Sequence, residues 1–282
     1  MNNERAKELV RSIKAFVKVD QRFSINEIRV IVALERAIAR LEQMDKIAGH
    51  LIFKGGFVLL KIFEGNRFTR DADALAVSIH KEKLEKLVPK ALLADLNDGM
   101  WYGDIQVLDI EEQSDYGAFR FDFAFQIGEP DHKKVHKLSR IHIDVGFSDR
   151  LPLKPSRISM PSLLKGDKPV TWLVYPKEFI AAEKLETLYS RGSASSRAKD
   201  VCDLNDLLPR CKNKHALMTA IDETFTNRGT PKPANWAKEA RDLDKTILAS
   251  AWPGVALQID APQDFNSAWD QLLKLLGELD KA

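Results

Sequence analysis

Two aspartates, Asp71 and Asp73, are separated by a single residue at the start of a short apolar stretch of this 282-residue chain. Side chains two apart on a β-strand point to the same face, so a strand here would present both carboxylates side by side. Adjacent carboxylates repel each other unless a cation lies between them, and Mg²⁺ or Mn²⁺ takes such hard oxygen ligands together with phosphate oxygens. The spacing therefore indicates a divalent-metal site that also binds a phosphate.

Two consecutive glycines, Gly55 and Gly56, lie one short helix upstream, where the apolar run of residues 51–53 ends. Glycine has no Cβ atom, so backbone N–H groups at these positions can approach a phosphate closely. An Asp-x-Asp pair alone is common on protein surfaces. The glycine pair in front of it favours a nucleoside-triphosphate site with bound metal.

A third carboxylate, Asp144, lies in residues 140–147, where apolar and polar residues alternate. The alternation predicts a strand with His142 and Asp144 on the same face. Beside Asp71 and Asp73, Asp144 would complete the ligands for phosphoryl transfer with two metal ions. The alternative is a solvated charge at the edge of a sheet, and His142 is interpreted as a surface or packing residue.

Three cations, Lys177, Lys184 and Arg191, are seven residues apart in one predicted helix and so follow one stripe of it. The stripe could surround a triphosphate tail, although a solvated basic edge is the commoner outcome. Asp200 and Asp203 are three apart near the start of the next predicted helix and share one side of it. Their interaction with the helix N-terminus would explain them equally well.

Hydrophobic periodicity predicts the elements that must position these residues. Ser24 followed by Glu27 predicts a capping box, and Pro89 is expected to kink or split its helix. Residues 152–169, rich in proline and basic residues, are expected to cross the surface as a loop. The predicted helices are residues 4–18, 25–44, 57–63, 81–96, 176–191, 197–208, 213–226, 236–250 and 263–279, and the predicted strands are residues 50–53, 71–77, 105–110, 118–127, 140–147 and 171–174. A mixed sheet therefore precedes a helical bundle, with the boundary near residue 175.

The segment from Phe53 to Asp73 reads Phe-Lys-Gly-Gly and, further on, Arg-Phe-Thr-Arg-Asp-Ala-Asp. It resembles the first motif of the AbiEii/AbiGii-type toxin nucleotidyltransferases, typically Lys-Gly-Gly-Thr and then Arg-x-Ser/Thr-x-Asp-x-Asp. Phe57 stands where a small hydroxyl residue is usual. A later segment, Ala182-Glu-Lys-Leu and then Lys199-Asp-Val-Cys-Asp-Leu, is similar to the C-terminal motif of that family. The resemblance covers residues 30–210.

The resemblance implies a nucleotidyltransferase fold of the α/β (α+β) class, with a mixed sheet, flanking helices and a C-terminal helical domain. It implies a nucleotidyltransferase core with N-terminal helices over residues 1–175 and a helical domain over residues 176–282 that completes the active site. The implied catalytic residues are Asp71, Asp73, Asp144, Lys184 and Asp200, and the implied metal ligands are Asp71, Asp73 and Asp144. The implied nucleotide-binding residues are Lys54, Gly55, Gly56, Arg67, Thr69, Lys184 and Arg191.

The activity that the resemblance implies is transfer of a nucleotide from a nucleoside triphosphate to an acceptor hydroxyl, with Mg²⁺ or Mn²⁺ as cofactor. A tRNA 3′ end is the most plausible acceptor, because it is single-stranded and accessible, and its modification would block translation. A cognate antitoxin encoded nearby is expected, without need for a stable complex. Two alternatives remain: a nucleotidyltransferase acting on a small molecule or protein hydroxyl, and a non-catalytic nucleotide-binding interaction protein.

The composition of the whole chain sets looser bounds. Its net charge of +2 does not indicate a nucleic-acid-binding protein, so an RNA acceptor follows from the resemblance alone. Basic residues at 154–157, 165–168 and 210–214 could contact RNA phosphates. The chain contains no apolar run long enough for a membrane span and begins without the apolar region of a signal peptide. Its two cysteines, Cys202 and Cys211, give no disulfide framework, so a cytoplasmic location without a membrane partner is expected.

Overall fold

The computed structural model of the chain describes residues 3–110, 117–147, 155–160, 162, 169–259 and 263–281. Its contacts divide the chain into two compact units. The sheet unit comprises Met1–Ile62 and Phe68–Val174, and the helical unit comprises Phe63–Arg67 and Tyr175–Ala282. The short segment Phe63–Arg67 thus belongs to the helical unit although it precedes most of the sheet in sequence.

The sheet unit contains both helices and strands. Its helices are α1 (Asn3–Val19), α2 (Ile25–Gln43), α3 (Gly55–Ile62) and α4 (Lys81–Leu92), and its strands are β1 (Leu51–Lys54), β2 (Asp71–Ala76), β3 (Met100–Ile110), β4 (Ala118–Ile127), β5 (Arg140–Phe147), β6 (Ser156–Met160) and β7 (Val170–Val174). Among the described residues these strands form one seven-stranded sheet in the order β3-β4-β5-β2-β1-β7-β6. The pairs β2–β5 and β1–β7 are parallel and the others are antiparallel, so the sheet is mixed, as the sequence predicts.

One face of β4 is apolar and buried, which suits a strand that lies between two others in the sheet. The four alternating phenylalanines of β4 are all buried, while Arg120 and Asp122 between them are half-buried on the other face. Because β4 pairs with β5 so that Arg120 is opposite Asp144 and Asp122 opposite His142, the polar residues of both strands share that second face. The alternation predicted from the sequence is confirmed.

Helix α2 is buried along most of its length and connects α3 to the sheet. The capping box at its start is confirmed, because the Ser24 hydroxyl accepts from the Glu27 backbone and the Glu27 side chain accepts from Ser24. Glu35 of α2 is fully buried and accepts a hydrogen bond from Lys61 of α3 at 2.9 Å. A buried carboxylate requires such a partner, so this ion pair fixes the helix that begins at the paired glycines.

The helical unit consists of helices that pack mainly as the pairs α5–α7, α5–α6, α6–α9, α6–α10 and α8–α10. Its helices are α5 (Lys177–Arg191), α6 (Ala198–Leu207), α7 (Lys214–Arg228), α8 (Trp236–Asp242), α9 (Thr246–Ala256) and α10 (Phe265–Leu279). Tyr189 of α5 packs edge-on against Trp236 of α8, and its hydroxyl donates to the Trp236 carbonyl at 2.6 Å. No helix among the described residues is long and apolar enough to cross a membrane.

Several predicted elements differ from the structure. The strand predicted over residues 105–110 begins earlier, at Met100, and the helix predicted over residues 81–96 ends at Leu92. The single helix predicted over residues 236–250 is two helices, because Leu243 leaves the helical conformation and Asp244 accepts from the Thr246 backbone as α9 begins. The loop predicted over residues 152–169 contains β6, which pairs antiparallel with β7. Pro89 lies inside α4 without ending it. Residues 154 and 165–168 of the predicted basic stretches lie outside the described residues.

Candidate active site

Three aspartates of the sheet unit lie on two neighbouring parallel strands. Asp71 and Asp73 are on β2 and Asp144 is on β5, and the register sets Asp71 beside His142 and Asp73 beside Asp144. Residues paired across adjacent strands have their side chains on the same face, with the strands about 4.8 Å apart. The sheet therefore brings together the three carboxylates predicted as metal ligands on one face.

Asp71 accepts a hydrogen bond on one carboxylate oxygen and lies near a histidine on the other. The Thr69 hydroxyl, which is buried, donates a hydrogen bond to Oδ1 of Asp71. His142 Nε2 lies 3.8 Å from Oδ2, beyond hydrogen-bonding distance, so its attraction to Asp71 depends on protonation of the ring. Thr69, implied as a nucleotide-binding residue, thus orients a carboxylate in the structure.

Asp144 is paired with an arginine of the neighbouring strand. Arg120 of β4 donates to both its oxygens, from Nε to Oδ1 and from Nη2 to Oδ2, each at 2.8 Å. This hydrogen bonding raises the pKa of Arg120 above its ordinary value. Among the described residues no three His, Cys, Asp or Glu side chains are arranged to hold a metal ion. The two oxygens of Asp144 are engaged by Arg120 instead.

Gly55 lies directly against the carboxylate of Asp73. It is the first residue of α3, its φ is +71°, and a Cβ atom there would lie 1.9 Å from Asp73 Oδ2. Lys54, the last residue of β1, is paired across the strands with Asp73, and Gly56 follows in the first turn of α3. The first glycine is therefore required by its left-handed backbone and by the close approach of a carboxylate, whereas the sequence suggested approach of a phosphate.

The packing of Phe57 explains why a phenylalanine stands where the family motif usually has a small hydroxyl residue. Its side chain is fully buried and packs edge-on against Trp172 at 6.0 Å between ring centroids. Phe53 of β1 contacts the same indole at 5.1 Å. Phe57 is thus a core residue of the sheet unit, with no polar group for a nucleotide.

The helical unit contains a buried cluster of charged residues on α5 and α6. Lys184 donates to Asp200 Oδ1 at 2.8 Å and to Asp203 Oδ2 at 2.7 Å, and only 8% of Lys184 is exposed. Arg197 donates from Nε to the second oxygen of Asp200 at 2.8 Å. The three-residue spacing of the two aspartates, noted in the sequence, turns both toward one lysine.

Arg67 belongs to the same cluster. Its guanidinium donates from Nε to Asp203 Oδ1 at 3.0 Å, from Nη2 to Oδ2 at 3.1 Å, and from Nη1 to Gln258 Oε1 at 3.3 Å. Arg67 also forms an isolated antiparallel bridge with Ile259. Asp203, which the sequence ranked below Asp200, is therefore the residue that joins Arg67 to Lys184. The sequence offered no signal for this pair, because 136 residues separate its members.

The charged groups of this cluster stabilise one another in their ionised forms. Burial would lower the pKa of Lys184, but Asp200 and Asp203 outweigh it and raise that pKa above its ordinary value. Burial would likewise raise the pKa of Asp203, but Arg67 and Lys184 hold it well below the usual range. The pKa of Asp200 is lowered in the same way, with Lys184 and Arg197 opposing burial. The cluster is therefore ionised throughout at neutral pH.

The other members of the predicted basic stripe have different surroundings. Lys177 is the first residue of α5 and is half-buried, and Arg191 is the last residue and is exposed. Only Lys184 lies in the buried cluster. The structure thus separates the three cations into one paired and two peripheral residues.

Two solved structures share the fold of this chain, and one of them is a nucleotidyltransferase toxin. MenT4, a nucleotidyltransferase toxin from Mycobacterium tuberculosis H37Rv, superimposes with a TM-score of 0.62 at 20% identity, covering 97% of this chain and 90% of that one. JHP933 from Helicobacter pylori superimposes with a TM-score of 0.54 at 16% identity, covering 92% and 94%. At these identities the likeness shows the fold, which is the mixed nucleotidyltransferase fold expected from the sequence.

The family follows from the sequence match. The model of the AbiEii nucleotidyl transferase toxins, of type IV toxin–antitoxin systems, matches residues 36–274. The chain belongs to this family, which confirms the resemblance drawn from the two motifs. No curated protein sequence matches it.

Proposed function

We propose that this protein transfers a nucleotide from a nucleoside triphosphate to the 3′-terminal hydroxyl of a tRNA in a metal-dependent reaction. Membership of the AbiEii family supports the reaction class and implies a cognate antitoxin. The observation that carries the catalytic assignment is the register of β2 and β5, with Asp73 beside Asp144 and Asp71 two pairs away on the same face.

Carboxylate oxygens suit Mg²⁺ or Mn²⁺, and Asp144 would join such a site by exchanging Arg120 for the ion. Asp71, Asp73 and Asp144 offer carboxylate oxygens, and such ions commonly complete their coordination with phosphate oxygens and water. We therefore expect weak metal binding until a nucleotide supplies its phosphates. When bound, the ion would neutralise phosphate charge and lower the pKa of the attacking hydroxyl.

The residues of the chain have distinct proposed roles around this reaction. The acceptor oxygen forms a bond to the α-phosphorus, the bond to pyrophosphate breaks, and the hydroxyl proton passes to a carboxylate or to water. Thr69 holds Asp71 in place, and Asp200 orients the ammonium group of Lys184. The proposed contacts to the nucleotide are the backbone of Gly55 and Gly56 and the side chains of Lys54, Lys184 and Arg191.

The direct test is incubation of the purified protein with each of the four α-labelled nucleoside triphosphates, total cellular RNA and Mg²⁺ or Mn²⁺. We expect label on RNA of tRNA size, at the 3′ end, with one preferred nucleotide. Omission of the metal and the variant Asp73→Asn should each abolish labelling, since the isosteric amide removes the charge that binds the cation. The folded state of the variant is checked by thermal unfolding.

The same experiment separates the alternatives. Label on the protein itself or on a small molecule would replace tRNA as the acceptor and keep the reaction class. No label on any acceptor, together with nucleotide binding detected by calorimetry, would identify a non-catalytic binding protein. Labelling that persists in Asp73→Asn would remove the carboxylate from the mechanism.

A further inference from the structure

Arg67 is buried in the helical unit and its side chain is fixed there by several hydrogen bonds. It is 7% exposed, and the hydrogen bonds of its guanidinium go to both oxygens of Asp203 and to Gln258. A two-point arginine–carboxylate pair fixes the plane of both groups, unlike a single contact. All three nitrogens of the guanidinium are therefore engaged by protein groups, whereas Lys184 uses two of its three ammonium hydrogens.

The segment that carries Arg67 is itself anchored in the helical unit. The backbone N–H of Asn66 donates to Asp206 of α6 at 3.4 Å, and Arg210 donates to the Phe63 carbonyl. With the backbone bridge to Ile259, contacts hold the segment Phe63–Arg67 at both ends. The guanidinium is thus placed by its backbone as well as by its side-chain contacts.

The same oxygen of Asp203 is shared by two cations. Oδ2 accepts from Arg67 Nη2 at 3.1 Å and from Lys184 Nζ at 2.7 Å. Because Arg67 holds both oxygens, rotation of the Asp203 carboxylate is blocked and the direction from which Lys184 is bound is fixed. Arg67 also balances the negative charge of Asp203. The positive charge of Lys184 is therefore not completely neutralised by Asp200 and Asp203.

We propose that Arg67 is a positioning residue, which fixes Asp203 and through it the ammonium group of Lys184, rather than a residue that binds the nucleotide. The proposal rests on the proposed function for the role of Lys184 in transfer. The contacts that carry it are those of the buried cluster and hold whatever the acceptor is.

The experiment compares Arg67→Gln with Arg228→Gln. Arg228 is a matched control because its guanidinium also pairs with a buried carboxylate of α5, Glu186, without contacting Lys184. We expect Arg67→Gln to lower kcat for transfer by about 10–100-fold, the usual effect of losing a residue that orients a catalytic group, with KM for the nucleotide little changed. Arg67→Lys should be intermediate, because lysine keeps the charge but not the two-point geometry.

Coupling to Asp203 gives a second criterion. If Arg67 acts through Asp203, Arg67→Gln should have little further effect on kcat in an Asp203→Asn background. A raised KM with unchanged kcat, additive with Asp203→Asn, would show a direct nucleotide contact and overturn the proposal. An equal loss of kcat in Arg67→Gln and Arg228→Gln at the same folded fraction would reduce Arg67 to a structural residue.

A measurement without activity keeps this test separate from the proposed function. ¹⁵N relaxation of the Lys184 ammonium group should show greater motion in Arg67→Gln and wild-type motion in Arg228→Gln. If wild-type protein transfers no nucleotide, the proposed function fails while this result still decides the positioning role. Unchanged Lys184 motion in Arg67→Gln overturns the positioning role even if transfer is observed.

Discussion

Gly55 shows how one residue position can be constrained twice. Its φ of +71° lies in the left-handed region, and the space that a Cβ would occupy is taken by the carboxylate of Asp73. Either constraint alone would favour glycine, since other residues adopt this conformation only with strain. Together they connect the backbone at the start of α3 to the position of a proposed metal ligand.

We therefore expect Gly55→Ala to destabilise the protein by about 1–3 kcal/mol, the cost of a strained backbone, and to reduce transfer about 100-fold by displacing Asp73. Gly254→Ala is the control, because a Cβ at that position in α9 meets no atom within 4 Å. Alanine inside a helix should leave stability unchanged or raise it by up to about 1 kcal/mol. Urea unfolding measures the stability of each variant, and transfer assays measure its activity. Wild-type activity in Gly55→Ala would contradict the close approach of Asp73 to Gly55.

Arg120 gives a second prediction at the scale of single residues. Removing it in Arg120→Gln leaves the buried Asp144 without its two-point partner. With a chelator present to remove metal ions, we expect the free energy of unfolding to fall by about 1–3 kcal/mol. If Asp144 is a metal ligand, Mn²⁺ with nucleotide should raise the unfolding temperature of this variant by more than that of the wild type. Arg140→Gln is the control, since Arg140 pairs with Asp104 and Asp122 instead. Equal metal responses in the two variants would exclude Asp144 as a ligand.

At the scale of elements, the sequence predicts most where local rules act alone. The phenylalanine alternation of residues 119–125 and the capping box at Ser24 need no distant partner, and both are confirmed. The helix break at Leu243 and the strand β6 were missed, because neither follows from a local periodicity. The pairing of Arg67 with Asp203 could not be predicted either, since it depends on how the chain folds back over 136 residues.

The helix pair α5–α6 carries a prediction about acid stability. The pKa values of Asp200 and Asp203 are lower in the folded state than in the unfolded state, against the effect of burial, because of Lys184, Arg67 and Arg197. Their contribution to the free energy of unfolding is therefore complete above about pH 4 and is lost as the pH falls toward the folded-state values.

Urea unfolding between pH 6 and pH 2.5 measures this effect. Asp203→Asn should be less stable than the wild type at pH 6, and the difference should shrink as the pH falls. Asp270→Asn, on an exposed position of α10, controls for the change in net charge. A constant difference between wild type and Asp203→Asn across the range would show that the ion pairs of Asp203 contribute nothing to acid sensitivity.

At the scale of the whole molecule, both compact units contain residues proposed to bind the nucleotide, to catalyse transfer or to position such groups. The carboxylates of β2 and β5 and the glycines of α3 belong to the sheet unit, while Lys184, Asp200 and Arg67 belong to the helical unit. Each group is fixed by contacts within its own unit: Gly55 against Asp73 in one and Arg67 against Asp203 in the other. Substitutions in either unit should therefore impair the same activity while leaving the other unit folded.

Growth of cells that express the protein tests this expectation at the largest scale. The AbiEii family is defined by toxins of toxin–antitoxin systems, so expression without an antitoxin should arrest growth. We expect Asp73→Ala in the sheet unit and Lys184→Ala in the helical unit each to abolish arrest at equal protein level. Translation rate and the 3′ ends of cellular tRNA, read by sequencing, should change with wild-type protein only, and co-expression of a neighbouring antitoxin gene should restore growth.

The double variant Asp73→Ala, Lys184→Ala gives the decisive control for this arrest. Arrest that persists undiminished in the double variant would show that toxicity comes from binding or from overexpression, because each unit would lack one of its proposed catalytic residues. Arrest that is lost in Asp73→Ala but retained in Lys184→Ala would confine the chemistry to the sheet unit and leave the buried cluster a structural role. Loss in both single variants, with wild-type unfolding temperatures, requires that both units contribute to one reaction.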